Sequence, residues 1–348
     1  MLEEIKMNTK YWLSVVIPAY NCSSTIERLL DSILIQDTDN IEIIICDDQS
    51  TDNFMKKVYP YMDKLNIKYC RTKKRKIQCP SNTRIDGMKY ATGKYITFID
   101  SDDMFYKDAF SIIKNATINY PDYKVIHSNI LLYFEKENKY VSMKNTDFNV
   151  YIHGKFFNRD WLLENNIEFK ENLYITEDLH FNTLVNFNLI GQNINNFLIN
   201  APTCIHILGN EESFTNTIIK NNENIYEKYF EDYCIASLDC VFSCINKYPN
   251  SFNIYKFYIC RIFIYLYMHI QLFIFKSRFN NHYDIYKLII RRYLEKVSQF
   301  NIFIDDILNY AFNNPEDYDK IKHEVEDSNK YKFIESDSFF NFMLKLMD

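Results

Sequence analysis

Two apolar, β-branched runs that each end in a cluster of aspartates constrain this chain more than any other feature. Ile43-Ile44-Ile45-Cys46 leads into Asp47-Asp48, and Tyr95-Ile96-Thr97-Phe98-Ile99 leads into Asp100-Ser101-Asp102-Asp103. Short β-branched runs without polar alternation predict strands buried on both faces, as in parallel sheets covered by helices. In such open α/β sheets the ligand crevice lies outside the carboxyl ends of the strands, so both acidic clusters are expected to open into one cleft.

Length and charge narrow the function. The 348 residues suffice for one large core or two domains, and a net charge of -6 argues against a protein that coats nucleic acid, whose signature is a basic domain or stripe. The one basic run, Arg71-Thr72-Lys73-Lys74-Arg75-Lys76, reads as a solvated loop or as a contact for an anionic ligand or membrane surface. Nine scattered cysteines without a C-x-x-C pair read as reduced, buried thiols, and Cys240 and Cys244 as two core cysteines on one helix face rather than half of a metal site. Glu3 and Glu4 and the shortness of the apolar stretch Leu13 to Ile17 argue against an export signal, so a cytoplasmic location is expected, with possible peripheral contact at the inner face of the membrane. The apolar stretch Phe257 to Lys276 is interrupted by Arg261, His269 and Gln271, which favours a buried or subunit-facing helix over a membrane span.

Up to about residue 215 the pattern alternates strand and helix, as in an α/β domain. Strands are predicted at Leu13 to Ile17, Ile41 to Cys46 and Ile67 to Cys70. A helix is expected after the capping-box spacing Ser24/Glu27, another after Ser50-Thr51-Asp52, and a third over Asn82 to Tyr90, ended by Gly93. No glycine follows Gly209, and from about 216 the chain becomes a Tyr-, Phe- and Ile-rich helical region, connected through the polar stretch Asn210 to Asn224. The division expected is therefore 1–215 catalytic and 216–348 helical. The final residues, Asp337 to Asp348, read as a helix whose apolar side docks on its own domain, a second subunit or a membrane.

Two carboxylates one residue apart at a strand end can hold a hard divalent cation through oxygen, with positions left for phosphate oxygens. Taken alone, Asp100-Ser101-Asp102-Asp103 reads more readily as a turn with helix-capping aspartates. It does not stand alone. Leu13-Ser14-Val15-Val16-Ile17-Pro18-Ala19-Tyr20-Asn21, Ile45-Cys46-Asp47-Asp48-Gln49-Ser50-Thr51-Asp52 and Ala91-Thr92-Gly93-Lys94 running into Asp103 are joined by His153-Gly154-Lys155-Phe156-Phe157, Phe169 and Thr176-Glu177-Asp178. In order, spacing and strand context these segments resemble the family 2 glycosyltransferases over roughly residues 11 to 215, but not beyond.

The resemblance implies an α/β fold of the GT-A type (Rossmann-like, mostly parallel sheet flanked by helices), a nucleotide-diphosphate sugar donor, most simply UDP-linked, and inversion at the anomeric carbon. It assigns Pro18, Ala19, Tyr20, Asp47 and Asp48 to the nucleoside, with Ser101 and Asp100 also on the donor. A carboxylate accepting from a base N–H or ribose hydroxyl, and an aromatic ring along the base, fit that role. It assigns Asp100 and Asp102 to a Mn²⁺ or Mg²⁺ ion, with Asp102 in direct contact, and Asp178 to the general base, with Glu177 orienting it or touching the acceptor. Glu177-Asp178 read without the family is a helix cap. His206 falls where some GT-A domains carry a metal-ligating histidine, with His180 as a second candidate; both also read as core residues. Trp161 is either an acceptor-stacking or a core residue. Two departures from the family pattern stand out. Thr83-Arg84-Ile85-Asp86-Gly87 replaces Ala-Arg-Asn-x-Gly, keeping an Arg84 that could face the donor diphosphate, and Gln49 stands where glycine is usual.

The implied partners are a UDP-sugar and a glycan, lipid-linked or protein acceptor, with the C-terminal helices serving acceptor binding, self-association into a homo-oligomer or membrane approach. A non-catalytic nucleotide-binding scaffold of the same fold and a sugar nucleotidyltransferase are the alternatives. The full set Asp48, Asp100, Asp102 and Asp178 argues against the first, and the lack of any glycine before Gly87 against the second.

Overall fold

The computed structural model describes residues 10–75, 77–144, 151–173, 176–209, 231–275 and 283–329, together with Met343. The chain divides into two compact units, Met1–Asn221 and Asn222–Asp348. The expected connection at 210–224, and the terminal helix expected over 337–348 apart from Met343, lie outside the described residues.

In the first unit, strands β1 (Leu13–Ala19), β2 (Ile41–Asp47), β3 (Ile67–Arg71) and β4 (Tyr95–Phe98) alternate with helices α1 (Ile26–Leu34), α2 (Met55–Val58) and α3 (Pro80–Tyr90). There follow β5 (Met104–Phe105), α4 (Ala109–Asn119), β6 (Val125–Phe134), β7 (Lys139–Met143), β8 (Lys155–Asn158), α5 (Arg159–Glu164), α6 (Glu177–Gly191) and β9 (Phe197–Leu208). Among the described residues they form one sheet in the order β3-β2-β1-β4-β8-β6-β9-β5, with β7 paired to β6. Pairing is parallel through β3-β2-β1-β4 and between β6 and β9, and antiparallel elsewhere.

The β-branched runs are strands because both faces are covered. Val15, Ile17, Ile43 and Ile45 pack with Leu29, Leu30 and Ile33 of α1 and Phe110 and Ile113 of α4. Their neighbours Val16, Ile44, Ile96 and Phe98 point the other way, onto Ile85 of α3, Trp161 of α5 and Phe181 and Val185 of α6. Each fully buried Ile, Val or Leu contributes about 1.5–3 kcal/mol relative to exposure. Gly87 permits the close seat of α3, since a Cβ there would lie 2.4 Å from Val16 Cγ1.

Two sequence expectations need correction. The first helix begins at Ile26 after Thr25, with no side-chain cap, so Ser24 and Glu27 form no capping box. The entry is fixed instead by Asp52, whose Oδ2 accepts from the Ser23 N–H at 2.8 Å. Nor does Gly93 end α3, which stops at Tyr90 with an extended Ala91. Gly93 is needed for close approach, because a Cβ would fall 2.7 Å from the Ser14 nitrogen.

The second unit is helical: Cys240–Lys247, continued from a π-helical turn at Ile235–Asp239, then Phe252–Phe275, Tyr283–Ser298, Ile304–Asn313 and Pro315–Asn329. Arg261, which interrupts the long apolar run, is neutralised by Asp317 at 3.1 Å. No helix among the described residues is long and apolar enough to cross a membrane. None of the nine cysteines forms a disulfide, and Cys240 and Cys244 are buried.

Candidate active site

The register of the parallel strands pairs Ala19 with Asp47, and Val16 with both Ile44 and Phe98, so the acidic clusters emerge at one sheet edge. At the β2 end the two aspartates behave differently. Asp47 is committed to the turn: it accepts from the Ser50 N–H at 2.7 Å and the Tyr69 hydroxyl at 2.7 Å, with Arg71 Nε 3.5 Å away. Asp48 accepts from the Thr72 hydroxyl at 2.9 Å, and burial raises its carboxyl above the ordinary range. Its N–H donates to the Ala19 carbonyl at 2.8 Å, which ties the Pro18-Ala19 segment to the acidic turn, and Tyr20 beside it is exposed. Gln49, in the usual glycine position, nevertheless adopts φ +64°. That left-handed backbone costs a non-glycine residue roughly 1–2 kcal/mol, and the Gln49 side chain is anchored on the Thr72 carbonyl. The turn therefore keeps the glycine geometry with another residue.

Arg84 holds the centre of the second cluster. Its Nη2 donates to Asp100 Oδ1 at 2.6 Å, its Nη1 to Glu177 Oε1 at 2.7 Å, and Asp178 Oδ1 lies 3.2 Å from the same Nη1. The arginine is 1% exposed, so its terminal nitrogens serve carboxylates of this protein. Desolvation opposes its charge, but Asp178, Asp100 and Glu177 together raise its pKa above the ordinary value. Burial also raises both Glu177 and Asp178 from their ordinary values, with Arg84 working against the rise. Asp178 is further fixed by the Ile152 N–H at 3.2 Å. Asp178 and Glu177 sit in the first turn of α6, where the helix dipole favours negative charge.

The loop between β4 and β5 carries three carboxylates close enough to share an ion, Asp100, Asp102 and Asp103. Asp103, His153 and His206 form a second such group. Asp103 lies 2.6 Å from His153 Nε2 and 3.1 Å from His206 Nδ1. Burial disfavours a charged His153, yet the Asp103 carboxylate outweighs it and lifts His153 to about 9. Asp102 is the exception in this network. Among the described residues its carboxylate forms no ion pair. Burial, followed by the charges of Asp103 and Asp100, pushes it up to about 6. Arg28 of α1 steadies the loop from outside, donating to the Asp102 carbonyl at 2.6 Å while pairing with Glu135 at 3.0 Å. Oxygen donors on one loop with an imidazole nearby are a donor set that fits Mn²⁺ or Mg²⁺.

His206 thus joins the acidic loop. His180 belongs to neither of these two groups; it is buried in α6, and burial lowers it to about 4. Trp161 is a core residue, 4% exposed, with its indole N–H on Gln192 at 3.1 Å. Ser101 lies in the loop beside Cys22. Of the basic run, Arg71 and Arg75 are paired internally with Asp47 and Asp86, and Lys76 lies outside the described residues. Sequence reasoning gave no role to Arg28, Asp103 or His153. Asp103 was legible as the fourth member of its cluster, whereas an arginine on an amphipathic helix carries no signal of its own.

The chain is similar to known glycosyltransferases. The chain is 30% identical over 145 residues to the UDP-Glc:alpha-D-GlcNAc-diphosphoundecaprenol beta-1,3-glucosyltransferase WfgD of Escherichia coli, covering 40% of this chain and 54% of that protein. It is 40% identical over 112 residues to an uncharacterized glycosyltransferase of Rickettsia conorii, covering 32% of this chain and 18% of that one. The matched segment thus spans from about a fifth to about half of those relatives' length. The crystal structure of S. aureus TarS 1-349 in complex with UDP-GlcNAc has the same fold, with a TM-score of 0.63 at 17% identity over 94% of this chain and 98% of that one. The profile of glycosyl transferase family 2 matches residues 14–187, half of the chain, and the protein belongs to that family, with a GT-A-type catalytic unit.

Proposed function

We propose that this protein transfers a sugar from a UDP-sugar to an acceptor hydroxyl, with inversion at the anomeric carbon. The observation that carries the reading is Asp102. Its neighbours Asp100 and Asp103 are paired with Arg84 and the two histidines, while Asp102 is left as a partly buried carboxylate with no ion pair among the described residues. Such a group is costly unless a cation meets it. Asp102, with Asp100 and His206, would hold Mn²⁺ or Mg²⁺, and that ion would supply positive charge against the charge that builds on the departing diphosphate.

The chain's own residues provide the rest. Pro18, Ala19, Tyr20 and Asp48 form the nucleoside end of the cleft, Asp48 accepting from a base N–H or ribose hydroxyl. Asp47 shapes the turn that presents Asp48. Arg84 acts on the donor side through Asp100, and Ser101 lies in the same loop. Asp178 takes the proton of the acceptor hydroxyl as that oxygen attacks; a single displacement needs one base and inverts the carbon. Glu177 shares Arg84 with Asp178 and keeps the base in place. The WfgD relative acts, by its name, with UDP-Glc on a diphosphoundecaprenol-linked GlcNAc, and the TarS neighbour was crystallised with UDP-GlcNAc; both support a UDP-sugar donor, and the first a lipid-linked acceptor.

Calorimetric titration of UDP with and without Mn²⁺, on the native protein and on Asp102→Asn, tests the donor site without an acceptor. Metal-dependent UDP binding that weakens roughly tenfold or more in the variant is expected. Equal binding in the two proteins would remove Asp102 from the metal.

A further inference from the structure

Asp103 belongs by sequence to the same cluster as Asp100 and Asp102, but its carboxylate is spent inside the protein. Oδ1 accepts from the Ile207 N–H at 2.8 Å. Oδ2 lies 2.6 Å from His153 Nε2, and both oxygens are 3.1 Å from His206 Nδ1. The residue is 1% exposed. A carboxylate met by three nitrogens at hydrogen-bonding distance has few lone pairs left for an ion, and it is itself an acceptor only. The nitrogen of His206 that faces it must then be the donor. In a neutral imidazole one nitrogen carries the proton and the other a lone pair, and the partner of the first decides which.

We propose that Asp103 is a positioning residue rather than a metal ligand: it selects the Nδ1–H form of His206 and so leaves Nε2 as the nitrogen able to bind a cation beside Asp102, while His153 braces Asp103 from the other side. This rests on the reading of His206 as a metal ligand given above. The arrangement follows from strand pairing. Antiparallel pairing of Met104 with Ile205 continues the register so that the residue before Met104 stands opposite His206. His153 precedes β8, which joins the sheet beside β6. A carboxylate behind a ligating imidazole fixes ring orientation and raises its basicity, and its loss typically lowers metal affinity roughly 10–100-fold.

The direct test needs no metal. In whole protein labelled with ¹⁵N-histidine and freed of metal, two-bond ¹H–¹⁵N correlation spectra at pH 8 report which nitrogen of His206 is protonated. A protonated Nδ1 with a bare Nε2 is expected; a protonated Nε2, alone or with Nδ1, overturns the proposal. Titration of Mn²⁺ into the UDP-saturated protein gives the second readout. Asp103→Asn should weaken Mn²⁺ roughly 10–100-fold, and Asp103→Asn/His206→Asn should be no weaker than His206→Asn alone. Native-like Mn²⁺ affinity in a folded Asp103→Asn protein, or fully additive losses, would count against it. Should Asp103→Asn not fold, the native spectrum still decides. His206→Asn alone separates the two claims, since unchanged Mn²⁺ affinity there would remove the metal role while the spectrum still reports on Asp103.

Discussion

Arg84 Nη2 lies 2.6 Å from Asp100 Oδ1, joining the helix that crosses β1 and β2 to the acidic loop after β4. Through its other terminal nitrogen the same guanidinium reaches Glu177 and Asp178 at the start of α6. One buried cation therefore ties Asp100 in the loop after β4 to the Glu177-Asp178 pair at the start of α6, and displacement of either is felt by the other. Arginine suits this position because its planar fork presents several donors in fixed directions.

Removal of that cation is expected to be expensive. Arg84→Met leaves three clustered carboxylates uncompensated, two of them largely buried, and should cost about 3–5 kcal/mol of stability. Arg84→Lys keeps the charge but not the fork and should fall between. Urea unfolding midpoints at neutral pH check both; a loss below about 1 kcal/mol for Arg84→Met would mean that the network is not holding the fold.

Asp178→Asn should leave UDP affinity within about twofold of native and lower transfer by on the order of 10²–10⁴. Steady-state transfer to a soluble acceptor analogue, run beside UDP titration, gives both numbers. Substantial residual transfer would take Asp178 out of the base role.

The pH dependence has a defined sign. Burial raises Asp178 above the ordinary value of 3.8, with Asp100 adding to the rise and Arg84 opposing it. As the proposed base, Asp178 would work only when deprotonated, so the rate should fall as pH drops through that raised value, placing the acid limb of kcat/KM above 3.8. A variant that loosens the ion pair, such as Arg84→Lys, removes part of the opposing influence and should move the limb further up. A limb that stays put or moves down would contradict the electrostatic account.

Packing of α3 is testable at Gly87, on the same helix as Arg84. Gly87→Ala places a methyl 2.4 Å from Val16 Cγ1 and 3.2 Å from Cys46 Sγ, a clash expected to cost about 1–3 kcal/mol. Val16→Ala added to Gly87→Ala opens that space, so the pair should be less destabilised than the sum of the two single changes. Chemical denaturation of the three variants closes the cycle; strict additivity would place the strain elsewhere.

Much of this protein was determined locally. The β-branched runs before Asp47 and Asp100 read as strands because a covered parallel sheet is the setting that buries both of their faces, and the spacing of the acidic motifs carried the family. Helix entry was less legible: Ser24 and Glu27 have the capping spacing, but the Asp52 carboxylate, brought alongside by β2, satisfies the neighbouring N–H first. Gln49 looked like a change of turn, yet the surrounding hydrogen bonds hold it at φ +64°.

What tertiary structure alone decided is the division of labour among the charged groups. Asp47 and Asp48 are adjacent in sequence, but only the approach of Tyr69 and Arg71 on β3 commits the first to the turn. Asp102 and Asp103 look alike in sequence, but antiparallel pairing of β5 with β9 sets His206 against Asp103, while Asp102 forms no ion pair among the described residues. Arg84, Asp100 and Asp178 are separated by long stretches of chain, and nothing in their local sequences says that they meet. Propensity and periodicity act over a few residues, whereas the charge state and partners of a buried group are set by whichever distant residues the sheet register places within hydrogen-bonding distance.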